Sequence, residues 1–174
     1  LRNIKTENSK GDFLFMEFGV FNGGSVNLFA KILEKENLNI YGFDSFKGLK
    51  EHWVGTHNPI NKFDRDGKPP KVRNNVKLIV GEVQNTISEF LDKNKKDINF
   101  VHMDLDTYES SKFILKSIKP FLKNGCILLF DEFYNISGWR NGEYKALSET
   151  FEEKEYQYIA FGHQQVAIKF IKKI

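Results

Sequence analysis

A chain of 174 residues with 40% hydrophobic and 28% charged residues is long enough for one domain, 1–174, with a substantial core. Its net charge of +3 is spread over scattered lysines rather than a basic face, which argues against a nucleic-acid partner. No run reaches the ~18 apolar residues of a membrane span and no signal peptide is visible, so a cytoplasmic protein with no membrane partner is expected; the single Cys126, inside an apolar run, excludes an intrachain disulfide.

In chain order, FLFMEFG (13–19) reads as a buried strand and SVNLFAKILEKEN (25–37) as a helix with Val26, Phe29, Ala30 and Leu33 inward. NIYGFD (39–44) and VKLIVGE (76–82) are strands. TISEFLDKN (86–94) is a helix, with Thr86 as N-cap and Glu89 at capping-box spacing. The strand NFVHMD (99–104) leads into SSKFILKSIKPFLKN (110–124), a helical stripe that Pro120 ends or kinks, and then into the strand GCILLFDE (125–132). A helix over 143–154 follows. The last two apolar runs, YQYIAFG and VAIKFI, are separated by three residues, too few for a parallel crossover, and form an antiparallel hairpin. Such alternation predicts an α/β fold with a doubly wound, mostly parallel sheet. Residues 47–75 break the rhythm: they hold Trp53, His52, His57 and three prolines with little periodicity, and read as a long loop that is either a substrate-contacting lid or a plain insertion.

Two places carry chemistry. The first is EFGVFNGGS (17–25), a glycine-rich turn between strand and helix, where backbone can approach a ligand and free N–H groups point outward. Phe21 stands where the dinucleotide fingerprint needs glycine, no Walker lysine is present, and Glu17 repels phosphate but suits a cation. Asp44, ending the next strand, is placed to accept from a ribose diol. A ribose plus a cation without phosphate describes S-adenosylmethionine. The second place is a pair of apolar strands that end in acids, Asp104/Asp106 and Asp131/Glu132. If these strands are parallel neighbours, ~4.8 Å apart, four carboxylates crowd one corner of the crevice where such sheets bind ligands. That demands a proton or a cation, and oxygen-only donors favour Mg²⁺ or another divalent ion. The alternative is that these acids are caps and turn residues. Asp104-Leu-Asp106-Thr107 is not the phosphatase signature Asp-x-Asp-x-Thr, since its threonine comes one place early. His52, His57 and His163 read as solvated loop residues, and His102 as a packed strand residue.

The glycine motif with its following acid resembles the class I S-adenosylmethionine-dependent methyltransferases. More narrowly, EFGVFNGGS, YGFDSFKGLKEHW, MDLDTYESS, DEFYNISGW and GHQQVAIK together resemble the macrocin O-methyltransferase group over about residues 12–170. The resemblance implies a Rossmann-like methyltransferase fold with a seven-stranded sheet. It implies cofactor binding by Glu17, Gly19, Gly23, Ser25, Asp44 and Ser45, with Gly81 and Glu82 near the adenine. Asp104, Asp131 and Glu132 become metal ligands and Asp106 the general base, although members of the group often carry Asp-Asp where this chain has Asp131-Glu132. The implied reaction is metal-dependent methylation of a hydroxyl on a sugar or polyhydroxylated small molecule in natural-product biosynthesis. The chain opens at Leu1 without methionine, so the N-terminal helical extension typical of the group is expected to be missing from this sequence. A non-catalytic cofactor-binding or assembly module is the competing reading, and a homo-oligomer is left open. A nicotinamide-dependent oxidoreductase fails on Phe21 and Glu17.

Overall fold

In β1 (Leu14–Phe18) every position is buried, as a strand covered on both faces requires. The structure, a computed structural model, describes residues 13–172. Side chains alternate along β1. Leu14, Met16 and Phe18 join one apolar cluster, and Phe15 joins another across the sheet. The chain continues through α1 (Gly24–Leu33), β2 (Ile40–Asp44), β3 (Val76–Val80), α2 (Val83–Asn94), β4 (Ile98–Met103), α3 (Tyr108–Ile118), β5 (Leu122–Phe130), α4 (Glu143–Thr150), β6 (Tyr156–Phe161) and β7 (Val166–Phe170). The seven strands form one sheet in the order β3-β2-β1-β4-β5-β7-β6. The first five are parallel, and β7 runs antiparallel to both β5 and β6, the hairpin expected from the short connection. Val26, Phe29, Ala30 and Leu33 of α1 cover one face together with Ile40 and Phe100, while α2, α3 and α4 cover the other.

Several boundaries differ from the sequence reading, each because a buried side chain overrides the local signal. The second helix starts one turn earlier, at Val83, which is buried; Thr86 therefore lies inside α2, and its hydroxyl donates to the Glu82 carbonyl (3.2 Å) instead of capping. Glu89 pairs with Lys93 rather than closing a capping box. Pro120 does end the third helix, in a tight turn over 119–121, but β5 then begins at Leu122, three residues sooner than expected, because Leu122 is fully buried against Ile98. The fourth helix stops at Thr150 rather than 154: Phe151 takes extended backbone and packs its ring against Phe170.

The parallel register brings five strand ends into a row. Backbone N–H groups of Gly81, Gly19, Asp104 and Asp131 donate to carbonyls of Asp44, Phe43, Phe18 and Met103 respectively, at 2.9 to 3.1 Å. The glycine turn and both acidic pairs therefore share one edge of the sheet.

Candidate active site

Gly19 sets how closely β1 and β4 approach. It has a φ of +88°, and a Cβ there would lie 1.7 Å from the Asp104 carbonyl oxygen, so only glycine fits. Val20 and Phe21 follow, and Asp44 holds this turn in shape. Its Oδ2 accepts from the N–H groups of Val20 (2.9 Å) and Phe21 (2.8 Å), and its Oδ1 from Phe46 N–H (2.7 Å). Phe21 is thereby kept in the left-handed region at φ 46°, where glycine normally sits, with its ring edge-on to Phe63 of the long loop. Three N–H groups fill three of roughly four lone-pair sites on this carboxylate.

A cavity of about 310 Å³ opens over the row of strand ends. Gly19, Asp44, Ser45, Gly81 and Glu82 line one end, and Asp104, Asp106, Asp131 and Glu132 the other. The 47–75 loop supplies a wall through Gly48, Leu49, Lys50 and Phe63, and Lys50 pairs with Glu82 across the mouth (3.1 Å). Glu17, Gly23 and Ser25 do not reach the cavity. Glu17 is fully buried behind the glycine turn, where its Oε1 accepts from the Ser25 hydroxyl (2.9 Å) and its Oε2 lies 3.2 Å from His102 Nδ1. Burial by itself would lower the His102 pKa; the Glu17 carboxylate, with Asp104 and Asp131 beyond it, outweighs that and raises it. His102 is thus a packed strand residue tied to an acid.

The four strand-end acids come together, though not as an extended chain would place them. β4 ends at Met103, and Asp106 turns left-handed at φ 61°, so it does not simply share a strand face with Asp104. Ligand atoms of Asp104, Asp106 and Glu132 lie within 4.8 Å of one another. Asp131 stands beside them, and its Oδ1 accepts from Gln165 Nε2 (3.0 Å) at the β6–β7 turn. Crowding and burial shift these groups strongly. Burial, then the charges of Asp106, Asp131 and Glu17, raise Asp104 to about 7 against the opposing pull of His102. Burial and the charges of Asp131 and Asp44 raise Asp106 to about 6, with a hydrogen bond from Glu132 opposing. Burial and the neighbouring carboxylates raise Glu132 to about 10. Without a cation, the cluster therefore holds protons at neutral pH.

Asp106, Thr107 and Glu132 also line a second, smaller cavity, with Trp53, Tyr108 and Trp139 among its other walls. Two loops meet there backbone to backbone: a Cβ on Gly55 would lie 2.3 Å from the Ser137 carbonyl oxygen, and one on Gly138 would lie 2.5 Å from that of Val54. The sequence reading singled out the 47–75 loop but not the loop contact it makes. It missed Gln165 as a brace for Asp131, because a glutamine in a hairpin turn carries no local signal of a distant partner.

A Rossmann-like sheet ending in a β7 hairpin, with a glycine turn and an acidic corner on one edge, is the fold of class I methyltransferases. A family model described as a methyltransferase domain matches residues 16–133, and the chain belongs to that family. Among solved structures, the calicheamicin methyltransferase CalS11 aligns with a TM-score of 0.74 and 24% identity over 91% of this chain and 72% of that one. The O-methyltransferase NovP aligns with a TM-score of 0.63 and 17% identity over 93% of this chain and 73% of that one. An O-methyltransferase from Bacillus cereus, in complex with SAH, aligns at 0.57 and 11% identity over 91% and 73%. Comparison with curated protein sequences finds no match. No helix among the described residues is long and apolar enough to cross a membrane.

Proposed function

We propose that this chain is an O-methyltransferase of the macrocin-like group, moving a methyl group from S-adenosylmethionine to a hydroxyl of a sugar or polyhydroxylated small molecule with the help of Mg²⁺ or another divalent cation. The observation that carries the reading is the position of Asp106, a carboxylate at the junction of the large cavity and the aromatic-lined one.

The walls fit the cofactor. Lys50 is the single cation lining the large cavity among the described residues and is engaged by Glu82, while Asp44, Asp104 and Asp131 bring carboxyl groups to its wall. That environment repels a pyrophosphate and favours a sulfonium and an amine. Asp44, Ser45, Gly19, Gly81 and Glu82 make the direct contacts; Glu17, Gly23 and Ser25 act from behind by shaping the turn. The acids fit a hard divalent ion: the donors are all oxygen, Glu132 Oε2 has no partner, and their raised pKa values are relieved by a cation. Asp104, Asp131 and Glu132 would hold it, as the resemblance implies, with Asp106, whose ligand atom lies within 4.8 Å of those of Asp104 and Glu132, next to the ion.

When bound, S-adenosylmethionine supplies a methyl group on a positively charged sulfur, and the cation lowers the pKa of a neighbouring hydroxyl. The chain does the rest. Asp106 accepts the hydroxyl proton at a side-chain oxygen, from its place at the meeting of the two cavities. Trp53, Tyr108 and Trp139 wall a recess of about 10 Å³ beside Asp106, too small for a sugar ring unless the two loops part, and would flank an acceptor that enters there. CalS11, which shares the fold, is a TDP-rhamnose 3'-O-methyltransferase in calicheamicin biosynthesis, in keeping with a sugar acceptor here.

Calorimetric titration with S-adenosylhomocysteine, with and without Mg²⁺, tests the reading. Saturable binding at micromolar affinity is expected. Absence of binding in both conditions overturns it.

A further inference from the structure

Glu143 opens α4 and is 1% exposed, and neither of its side-chain oxygens has a hydrogen-bond partner among the described residues. An acid in the first turn of a helix usually meets the free N–H groups there. Glu143 does not. The backbone N–H of Glu132 faces it without reaching full hydrogen-bond geometry, and the charges of Asp104, Asp106 and Asp131 all act on it. Glu132 Oε2 is likewise buried without a hydrogen-bond partner among the described residues. A buried ionised carboxylate left alone costs several kcal/mol or more, so such groups are neutral or matched by a cation. Leaving the position acidic has no purpose in packing, since α4 already anchors itself through the buried Ala146 and Leu147.

We propose that Glu143 is a further carboxylate of the divalent-cation site, lending its charge from outside the close group of Asp104, Asp106 and Glu132 to an ion held by Asp104, Asp131 and Glu132. The proposal rests on the metal-dependent reading above and extends it to a residue on a different element, which sequence spacing does not connect to the acidic strand ends. It also gives the Gly142-Glu143 turn a role. The helix start that closes the second cavity through Gly142 carries part of the ion's field, so the cation and the acceptor pocket share one element.

The test uses the full chain and Mn²⁺ as probe, with free ion followed by electron paramagnetic resonance and heats by calorimetry. Glu143→Gln is expected to bind Mn²⁺ about 10–100-fold more weakly than wild type, with S-adenosylhomocysteine affinity unchanged. Glu143→Asp, shorter but still charged, is expected to recover most of the loss. If wild type binds Mn²⁺ and Glu143→Gln binds it equally well, the role of Glu143 is overturned while the metal site stands. That outcome, with a higher melting temperature in the Gln variant, would mark Glu143 as a neutral packing residue. If wild type binds no Mn²⁺ at all, the metal-dependent reading fails, and this proposal with it.

Discussion

Asp106 is the base in the proposed reaction, and its backbone makes a clean test available. At φ 61° most side chains are strained, but asparagine tolerates that region nearly as well as aspartate. Asp106→Asn is therefore expected to fold and to bind S-adenosylhomocysteine normally while losing at least ~100-fold in kcat, the usual weight of a positioned base. Retained turnover would move the base elsewhere. Asp44→Ala removes the acceptor of three backbone N–H groups, so it should weaken S-adenosylhomocysteine binding at least ~10-fold by calorimetry and lower stability by about 1–3 kcal/mol. The strand-end acids and Asp44 were legible because a carboxylate closing an apolar run contradicts burial and demands an explanation. Glu143 was not, since an acid in the first turn of a helix is where dipole arguments place one anyway. The left-handed turn at Asp106 was equally hidden, because the surrounding residues carry no glycine to announce it.

Between elements, the docking of 47–75 against 134–142 is the contact that would shape the acceptor side of the proposed site. Gly55 and Gly138 permit it, each facing the other loop's backbone at a distance no Cβ can occupy. Gly138→Ala should push the loops apart, raising the KM for the acceptor several-fold while leaving S-adenosylhomocysteine affinity untouched. An equal rise in both constants would mean that the loop pair also shapes the cofactor end. The order and type of elements followed from hydrophobic period and connection length, down to the antiparallel hairpin. Their limits did not. Val83, Leu122 and Phe151 each extend or interrupt an element because the core needs their side chains, and that need is a property of the packed sheet rather than of the local window. The long loop was visible as a break in period, but its partner was not, since close approach of two backbones leaves only isolated glycines in the sequence.

Across the whole molecule the crowded acids couple stability to pH and to the cation. Asp104 and Asp106 have pKa values raised to about 7 and about 6, above the roughly 4 of an unfolded aspartate. The native state thus binds protons that the unfolded state has already released. The stability they contribute is complete below pH ~4 and is lost as pH rises through 6 and 7. With a chelator present, these groups should make the protein melt at a lower temperature at pH 8 than at pH 5. Added Mg²⁺ should raise the melting temperature more at pH 8, where it competes with fewer protons. Scanning calorimetry at both pH values checks this, and a larger Mg²⁺ effect at pH 5 would contradict it.

The β6–β7 turn has a consequence for how the protein is made. The Gln164 carbonyl accepts from Phe133 and Tyr134 N–H, Gln165 holds Asp131, and β7 slots between β5 and β6. Asp131 thus precedes by 34 residues the glutamine that braces it. Ribosomes that stall before residue 166 release polypeptides with the chemistry spelled out and the scaffold open, so partial products should be inert. Activity is therefore expected only from chains in which β7 has paired between β5 and β6.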